Sequence, residues 1–430
     1  NHKKLFKIMK KTQLILAGIA SLLFCNTLFG QEKPKEWDVS LYGFARADYI
    51  FDSRKSAYVR EYNLNLYPLD VAKDTNGEDK NATGSSNFLS VVSRIGVKFK
   101  GPDVFKAKIS GNIEGDFFGN TEVNAATSGT GSIGLFRLRH ATIKLDWTKS
   151  SLTLGQTWYP TFVPEVFPGV ANFNTGIMFN PFGWASQIRF RQKLSEQISL
   201  DLVAYKDREF TASSVTGTAP NAPTFNSSVP TLHGQLQFKN KKIIAGLGAE
   251  YQSLKPVIES GGLASDEKLN STTVFGYFKY ADDAIITKLY GISGGNLTHL
   301  VMLGGYGSYA NSNGIDSYKP TRTTAFWVDI ASNKPKIAPG LFAGYTKNNG
   351  LSDAGYKALY MRGLNGTTRA VDNVWRVSAR VDFKENKFKL SPELEYTAAT
   401  WGAMDSSAKV VSAKENVGNF RALVSASYSF

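Results

Sequence analysis

Arginine and lysine recur at alternate positions in several stretches of this chain, a spacing that gathers cationic groups on one side of an extended backbone. Arg137 and Arg139 flank Leu138, Arg189 and Arg191 flank Phe190, and Arg376 and Arg380 stand either side of Ser378. Arg46, Arg94, Lys98, Lys106, Lys108 and Lys288 occupy comparable positions. Side chains two residues apart on a strand share a face. A guanidinium offers a planar fork that holds a carboxylate through two hydrogen bonds. The chemistry such faces allow is reversible capture and transit of anions. Acids fall on the same faces, namely Asp48, Glu114, Asp116, Glu250, Asp382, Glu393 and Glu395. Two readings therefore stay open: an anion-attracting field, or a wall stiffened by ion pairs. Bond-making chemistry has much less support. His140, His233 and His299 are far apart and in no metal-ligand spacing, and no local motif nominates a Ser-His-Asp set. The one cysteine, Cys25, lies in the leader described below. No catalytic residue, metal or cofactor is expected, and the chain is read as a non-enzyme.

The elements that carry these residues read as strands. Leu41, Ala45, Ala47, Tyr49 and Phe51 alternate with Tyr42, Phe44, Arg46 and Asp48. Leu89, Val91, Ile95, Val97 and Phe99 oppose Ser90, Arg94, Lys98 and Lys100, and Phe105, Ala107, Ile109, Ile113 and Phe117 oppose Lys106, Lys108, Ser110, Asn112, Glu114 and Asp116. Trp375, Val377, Ala379, Val381 and Phe383 alternate with Arg376, Ser378, Arg380 and Asp382. The last run sets Phe420, Ala422, Val424, Ala426, Tyr428 and Phe430 against Arg421, Ser425, Ser427 and Ser429, with Leu423 the one exception. Each pattern has a period of two, with one apolar and one polar face. In a soluble sandwich the apolar faces would meet another sheet. In a membrane barrel they meet lipid while the polar faces line a lumen, and terminal aromatics such as Tyr428 and Phe430 serve insertion at the interface.

The N-terminus favours the barrel. Met9-Lys10-Lys11 before the apolar run Leu14 to Phe24 is the build of a secretory signal peptide. Residues 1–30 are read as the leader, with Met9 as the start and cleavage after Gly30, and residues 31–430 as one outer-membrane domain. Leu22-Leu-Phe-Cys25 faintly resembles a lipoprotein signal, but Phe24 is bulky where that signal wants a small residue. The formal charge is +14, of which Lys3, Lys4, Lys7, Lys10 and Lys11 belong to the leader region. The remaining positive balance fits anionic solutes inside the barrel, lipopolysaccharide phosphates outside it, or both. No interleaved basic and aromatic motif points to nucleic acid.

Connections alternate in length. Short ones fall at 101–103, 148–150, 194–197, 239–241, 281–283, 332–335 and 384–387. Long ones fall near 52–86, 119–133, 159–184, 210–229, 256–269, 293–321, 348–372 and 401–416. Short periplasmic turns and long external loops characterise outer-membrane barrels, and this set joins sixteen antiparallel strands. Leu297 to Tyr306 is apolar enough for a seventeenth, but an odd count would put the two chain ends on opposite sides. It is therefore expected in a long loop, packed on a neighbouring loop or inside the mouth. The third loop, Tyr159 to Gly183, contains Pro160, Pro164, Pro168 and Pro181 and cannot continue a strand ladder. Its aromatics would form a costly exposed patch. Folding it into the barrel makes a constriction with Tyr159, Phe162, Glu165, Phe167, Phe173 and Asn174. A subunit contact or an external cap is the alternative.

Leu138-Arg-His-Ala141, Gly155-Gln-Thr-Trp158, Pro164-Glu-Val-Phe-Pro168 and Asn172-Phe-Asn174, with Gly115-Asp-Phe-Phe-Gly119 and Leu303-Gly-Gly-Tyr306, resemble the DcaP-like outer-membrane porins. The resemblance is scattered over residues 88–310. It implies a homotrimeric, sixteen-stranded porin of the Gram-negative bacterial outer membrane, through which small anionic solutes such as carboxylates diffuse passively. Its partners would be those solutes, the lipid bilayer with its lipopolysaccharide, and the outer-membrane assembly machinery. Two departures stand out. Only Gln31 to Trp37 precede the first strand, with no room for an N-terminal coiled coil, and the loop reads Ala171-Asn-Phe-Asn174 in place of Asp-Phe-Asn-Gly. An alternative is a structural or adhesive barrel whose long loops bind external ligands.

Overall fold

Alternation at a period of two builds a closed sheet in the computed structural model, which describes residues 37–60, 63–119, 134–215 and 221–430. The expected leader lies outside the described residues, as does nearly all of the second long loop. The barrel strands are β1 (Asp38–Asp52), β2 (Ser85–Leu89 resuming as Arg94–Lys100), β3 (Lys108–Asp116), β4 (Arg137–Asp146), β5 (Ser150–Trp158), β6 (Trp184–Lys193), β7 (Ile198–Asp207) and β8 (Thr231–Lys239). They continue as β9 (Ile243–Leu254), β10 (Leu269–Ala281), β11 (Ile285–Gly295), β12 (Arg322–Ser332), β13 (Ile337–Asn348), β14 (Arg369–Glu385), β15 (Phe388–Met404) and β16 (Val410–Ser429). Each pairs antiparallel with the next. β16 returns to β1 from Phe44 opposite Ser429 to Asp52 opposite Arg421, which closes the ring. The expected sixteen strands are all present.

Outward positions form an apolar belt that includes Leu41, Ile143, Ile188, Leu247, Phe326, Leu341 and Trp375. Phe383, Phe388, Tyr428 and Phe430 gather at the short-turn end, the place of an interfacial girdle. Phe430 donates its N–H to Gly43 O, and its ring lies where a Cβ on Gly43 would stand, 2.6 Å from Phe430 Cζ. Glycine is needed at that position for this close approach.

Three local departures have physical causes. The second strand breaks at 90–93, and Val91 and Val92 turn into the core. Leu89 packs inward with Ile50, Ala171 and Leu423. Leu89 and Val91 thus face the interior and not lipid as expected, while Phe88 points out onto Tyr49 at 4.8 Å. Ser93 bridges the gap by accepting from Arg46 N–H at 3.0 Å. Leu423, the odd apolar residue of β16, is explained by the same cluster. On β4 a bulge shifts the alternation, so that Leu138 and Ile143, an odd number of residues apart, both face outward: Glu114 opposes His140 and Gly115 opposes Leu138, with Arg139 extra. The bulge lets Arg139 and His140 both point inward.

Leu297–Leu300 forms a short 3-10 turn and Gly304–Tyr309 a strand, but that strand pairs with Ser317–Pro320 and Ala358–Arg362 in a separate loop sheet. Leu297, Leu300, Val301, Met302 and Leu303 are fully buried, and Leu300 O accepts from Phe182 N–H at 3.1 Å. The segment is a loop packed inside the mouth, as its poor alternation indicates.

Candidate constriction and charged wall

The third loop runs inside the barrel. Its ends are pinned by aromatic stacking: Trp158 lies on Phe162 at 4.0 Å and on Trp184 at 4.1 Å. Tyr159 N–H donates to Gly183 O. The loop then lies against an inward aromatic wall of Phe275, Tyr290, Trp327 and Phe342. Tyr290 OH donates to Thr161 O at 2.9 Å, and Trp327 Nε1 donates to Asn180 Oδ1 at 3.1 Å. Phe162, Phe179 and Phe182 are buried there, each worth about 2 kcal/mol of apolar transfer. At its far side the loop is held by carboxylates of other strands. Gly169 N–H donates to Asp329, Ala171 N–H to Glu393 at 2.6 Å, and Asn172 Nδ2 to Glu395 at 3.3 Å. Arg46 Nη2 donates to Ala171 O and Arg376 Nη1 to Ile177 O, both at 2.7 Å. The loop thus spans from β5 and β6 to β12, β14, β15 and β1.

A second inward element went unrecognised in the sequence. The hairpin Ser56–Val59 with Leu64–Pro68, in the first loop, buries Leu64 and Leu66. Asn65 joins the two loops: it donates to Glu395 at 2.7 Å and accepts from Asn172 and Asn174. Arg376 donates to Asn65 O, Arg421 to Asn63 O, and Trp401 Nε1 to Pro68 O at 3.0 Å. Arg421 also grips Asp52 through two bonds of 2.8 Å. The alternation of β16 marked Arg421 as lumenal; nothing local marked Asn65.

The expected lumenal cations divide into two groups. Those at loop height are paired. Arg46 binds Asp48 at 2.8 Å, Arg94 approaches Glu114 at 3.4 Å, and Arg139 is fully buried between Glu114 and Asp116 at 2.7 and 2.9 Å. Arg137 binds Asp116, Arg376 binds Glu395, and Arg380 binds Asp329. The second group lies toward the short-turn end. Lys98 and Lys108 are exposed, Arg191 pairs with Asp201, and Arg189 donates to Gln187, with no carboxylate partner among the described residues. Lys144, Lys239, Lys288 and Lys389 share that end, where inward basic positions outnumber the acids Asp146, Glu165, Asp201 and Asp382. Lys106 is a correction: it sits in the turn before β3 with φ 61°, not on the wall. Arg137 and Arg139 thus lie at loop height, while Arg189 and Arg191 lie toward the short-turn end.

Of the loop residues expected at the constriction, Tyr159 is buried and donates to Phe210 O, and Phe167 stacks on Phe162 at 5.4 Å. Phe173 meets Phe118 and lies 5.9 Å from the Arg46 guanidinium. Asn174 holds Asn65, and Glu165 pairs with Lys239. Among the described residues no group of His, Asp and Glu is placed to hold a metal ion.

No family model and no curated protein sequence matches the chain. Solved structures do. The outer membrane channel DcaP of Acinetobacter baumannii superposes with a TM-score of 0.65 at 20% identity, covering 94% of this chain and 100% of that one. An anion-selective porin from Comamonas acidovorans gives 0.52 at 13% identity, covering 92% and 100%. The outer-membrane protein OmpT of Vibrio cholerae gives 0.53 at 12%, covering 93% and 99%. At these identities the likeness is one of architecture: the chain has the fold of the outer-membrane channel DcaP.

Proposed function

We propose that this protein is a porin of the bacterial outer membrane, a water-filled channel through which small hydrophilic solutes diffuse passively, with a preference for anions such as carboxylates. The observation that carries the porin reading is the closed barrel with an apolar exterior, a charged interior and a third loop laid across the lumen. Anion preference rests on the short-turn vestibule, where Lys98, Lys108, Arg189 and their neighbours leave a positive excess. The paired arginines at loop height contribute mainly rigidity. Loops that spend their length inside the barrel weigh toward transit and against an adhesive surface. The reading includes a homotrimer in a lipopolysaccharide-containing bilayer, delivered by a leader in residues 1–30 and inserted by the assembly machinery, and no catalytic activity. Planar-bilayer recording tests it. Stable conductance steps are expected, with a reversal potential displaced toward the chloride equilibrium. Arg189→Glu combined with Lys98→Glu should move that potential toward the cation side. Absence of steps refutes the porin, and a cation-preferring wild type refutes the selectivity.

A further inference from the structure

At the long-loop end, one carboxylate sits between two guanidinium groups without being part of any strand. Glu209 lies just beyond the end of β7. Its Oε1 accepts from Arg60 Nη2 of the first-loop hairpin at 3.2 Å and from Arg137 Nη1 of β4, while its Oε2 is buried and accepts from none of the described residues. Arg137 already holds Asp116 through two bonds of 2.7 and 3.2 Å. The pairs continue through Arg139 and Glu114 to Arg94. Four cations (Arg60, Arg137, Arg139, Arg94) thus face three carboxylates (Glu209, Asp116, Glu114) along one continuous chain. Aromatic faces orient the two guanidiniums that Glu209 bridges: Phe210 lies 5.7 Å from Arg60 Cζ, and Trp184 lies 4.8 Å from Arg137 Cζ.

We propose that this is a carboxylate seat occupied in the resting protein by the chain's own Glu209, and that a small solute carboxylate displaces Glu209 and bridges Arg60 and Arg137 in its place. The inference rests on the porin reading for its biological sense, but its chemistry is independent of it. Glu209 shows by its own bonds what the seat accepts: a carboxylate with one oxygen shared between two forks. Glu209 lies on a connection and not on a strand, so it can swing out without breaking the barrel ladder. As a tethered competitor, Glu209 presents an effective concentration in the millimolar range or above, so free carboxylates bind the wild type weakly.

Calorimetry on the full-length barrel in detergent, titrated with sodium benzoate against sodium chloride at equal ionic strength, tests the seat. Glu209→Gln should bind benzoate at least about tenfold more tightly than wild type because the tethered competitor is gone. Glu209→Ala should do the same, and adding Arg137→Gln should abolish the gain. Equal affinity in wild type and both Glu209 variants, no binding in any of them, or a gain that survives Arg137→Gln overturns the proposal. Heat-resistant gel mobility identifies the folded variants. Conductance separates the two readings: a barrel that conducts but shows no Glu209 effect refutes the seat alone, and one that binds but does not conduct refutes the porin alone.

Discussion

Arg376→Ala should release both inward loops while leaving the barrel closed. The Arg376 guanidinium is buried at the point where the two loops meet the wall. Nε donates to Thr397 at 2.7 Å, Nη1 to Ile177 O of the third loop at 2.7 Å, and Nη2 to Asn65 O at 3.1 Å and Leu66 O at 3.3 Å in the first-loop hairpin. It also faces Glu395 at 3.3 Å. Removing one member of a buried ion pair costs about 3–5 kcal/mol, because the other is left uncompensated. At about 1.4 kcal/mol per tenfold, that raises the population of undocked loops by roughly 10²- to 10³-fold or more. The loss falls on the loops, since the backbone bonds of β14 to β13 and β15 do not involve this side chain. Amide hydrogen exchange should speed up at 63–68 and 169–178 and stay slow in the strands, and channel recordings should show larger, noisier openings. Arg94→Ala, whose side chain reaches Glu114 and neither loop, is the control. Unchanged exchange in both loops, or acceleration spread evenly around the barrel, would refute the latch.

Two further outcomes can be checked. Gly43→Leu places a Cβ 2.3 Å from Arg94 O and 2.6 Å from the Phe430 ring, so assembly into the heat-resistant form should slow about as much as in Phe430→Ala; normal assembly in both would refute a role for the terminal ring. Arg369 binds Asp70 through two bonds of 2.7 and 3.1 Å. Burial pushes the Asp70 carboxyl up, but Arg369, Asn365 and the Val71 N–H outweigh it and hold the group below its ordinary 3.8. A carboxyl depressed in the folded state stabilises above its unfolded value and loses that contribution as pH falls through the folded one. Pepsin cleavage in 69–84 should therefore rise below pH 3.8 in wild type, and in Asp70→Asn it should be high without that dependence; identical pH profiles would refute it.

Strand number and orientation were legible because alternation and connection length are local properties, and a closed antiparallel barrel admits only an even count when both ends share a side. The lumenal arginines were legible for the same reason. Their pairing was not, because a partner such as Asp329 for Arg380 or Glu395 for Arg376 comes from another strand whose register a single sequence does not give. Four prolines announced that the third loop leaves the ladder. Asn65 could not be found in this way, since an asparagine in a polar loop has the same local signature whether it is solvated or joins two buried segments. Leu89 and Val91 misled because a strand break of four residues turns the side chains around without disturbing the hydrophobic count.

The bonds that seat the two inward loops have a bearing on how the chain folds. Ala171 and Glu393 are 222 residues apart, Asn65 and Glu395 are 330 apart, and Asn63 and Arg421 are 358 apart. Contacts of such sequence separation form late, because the intervening chain must be closed before they repay its entropy. The constriction cannot exist until β15 and β16 are in place. The nascent barrel therefore passes through a stage with a wider lumen, and the seating of the loops follows the placement of the last strands.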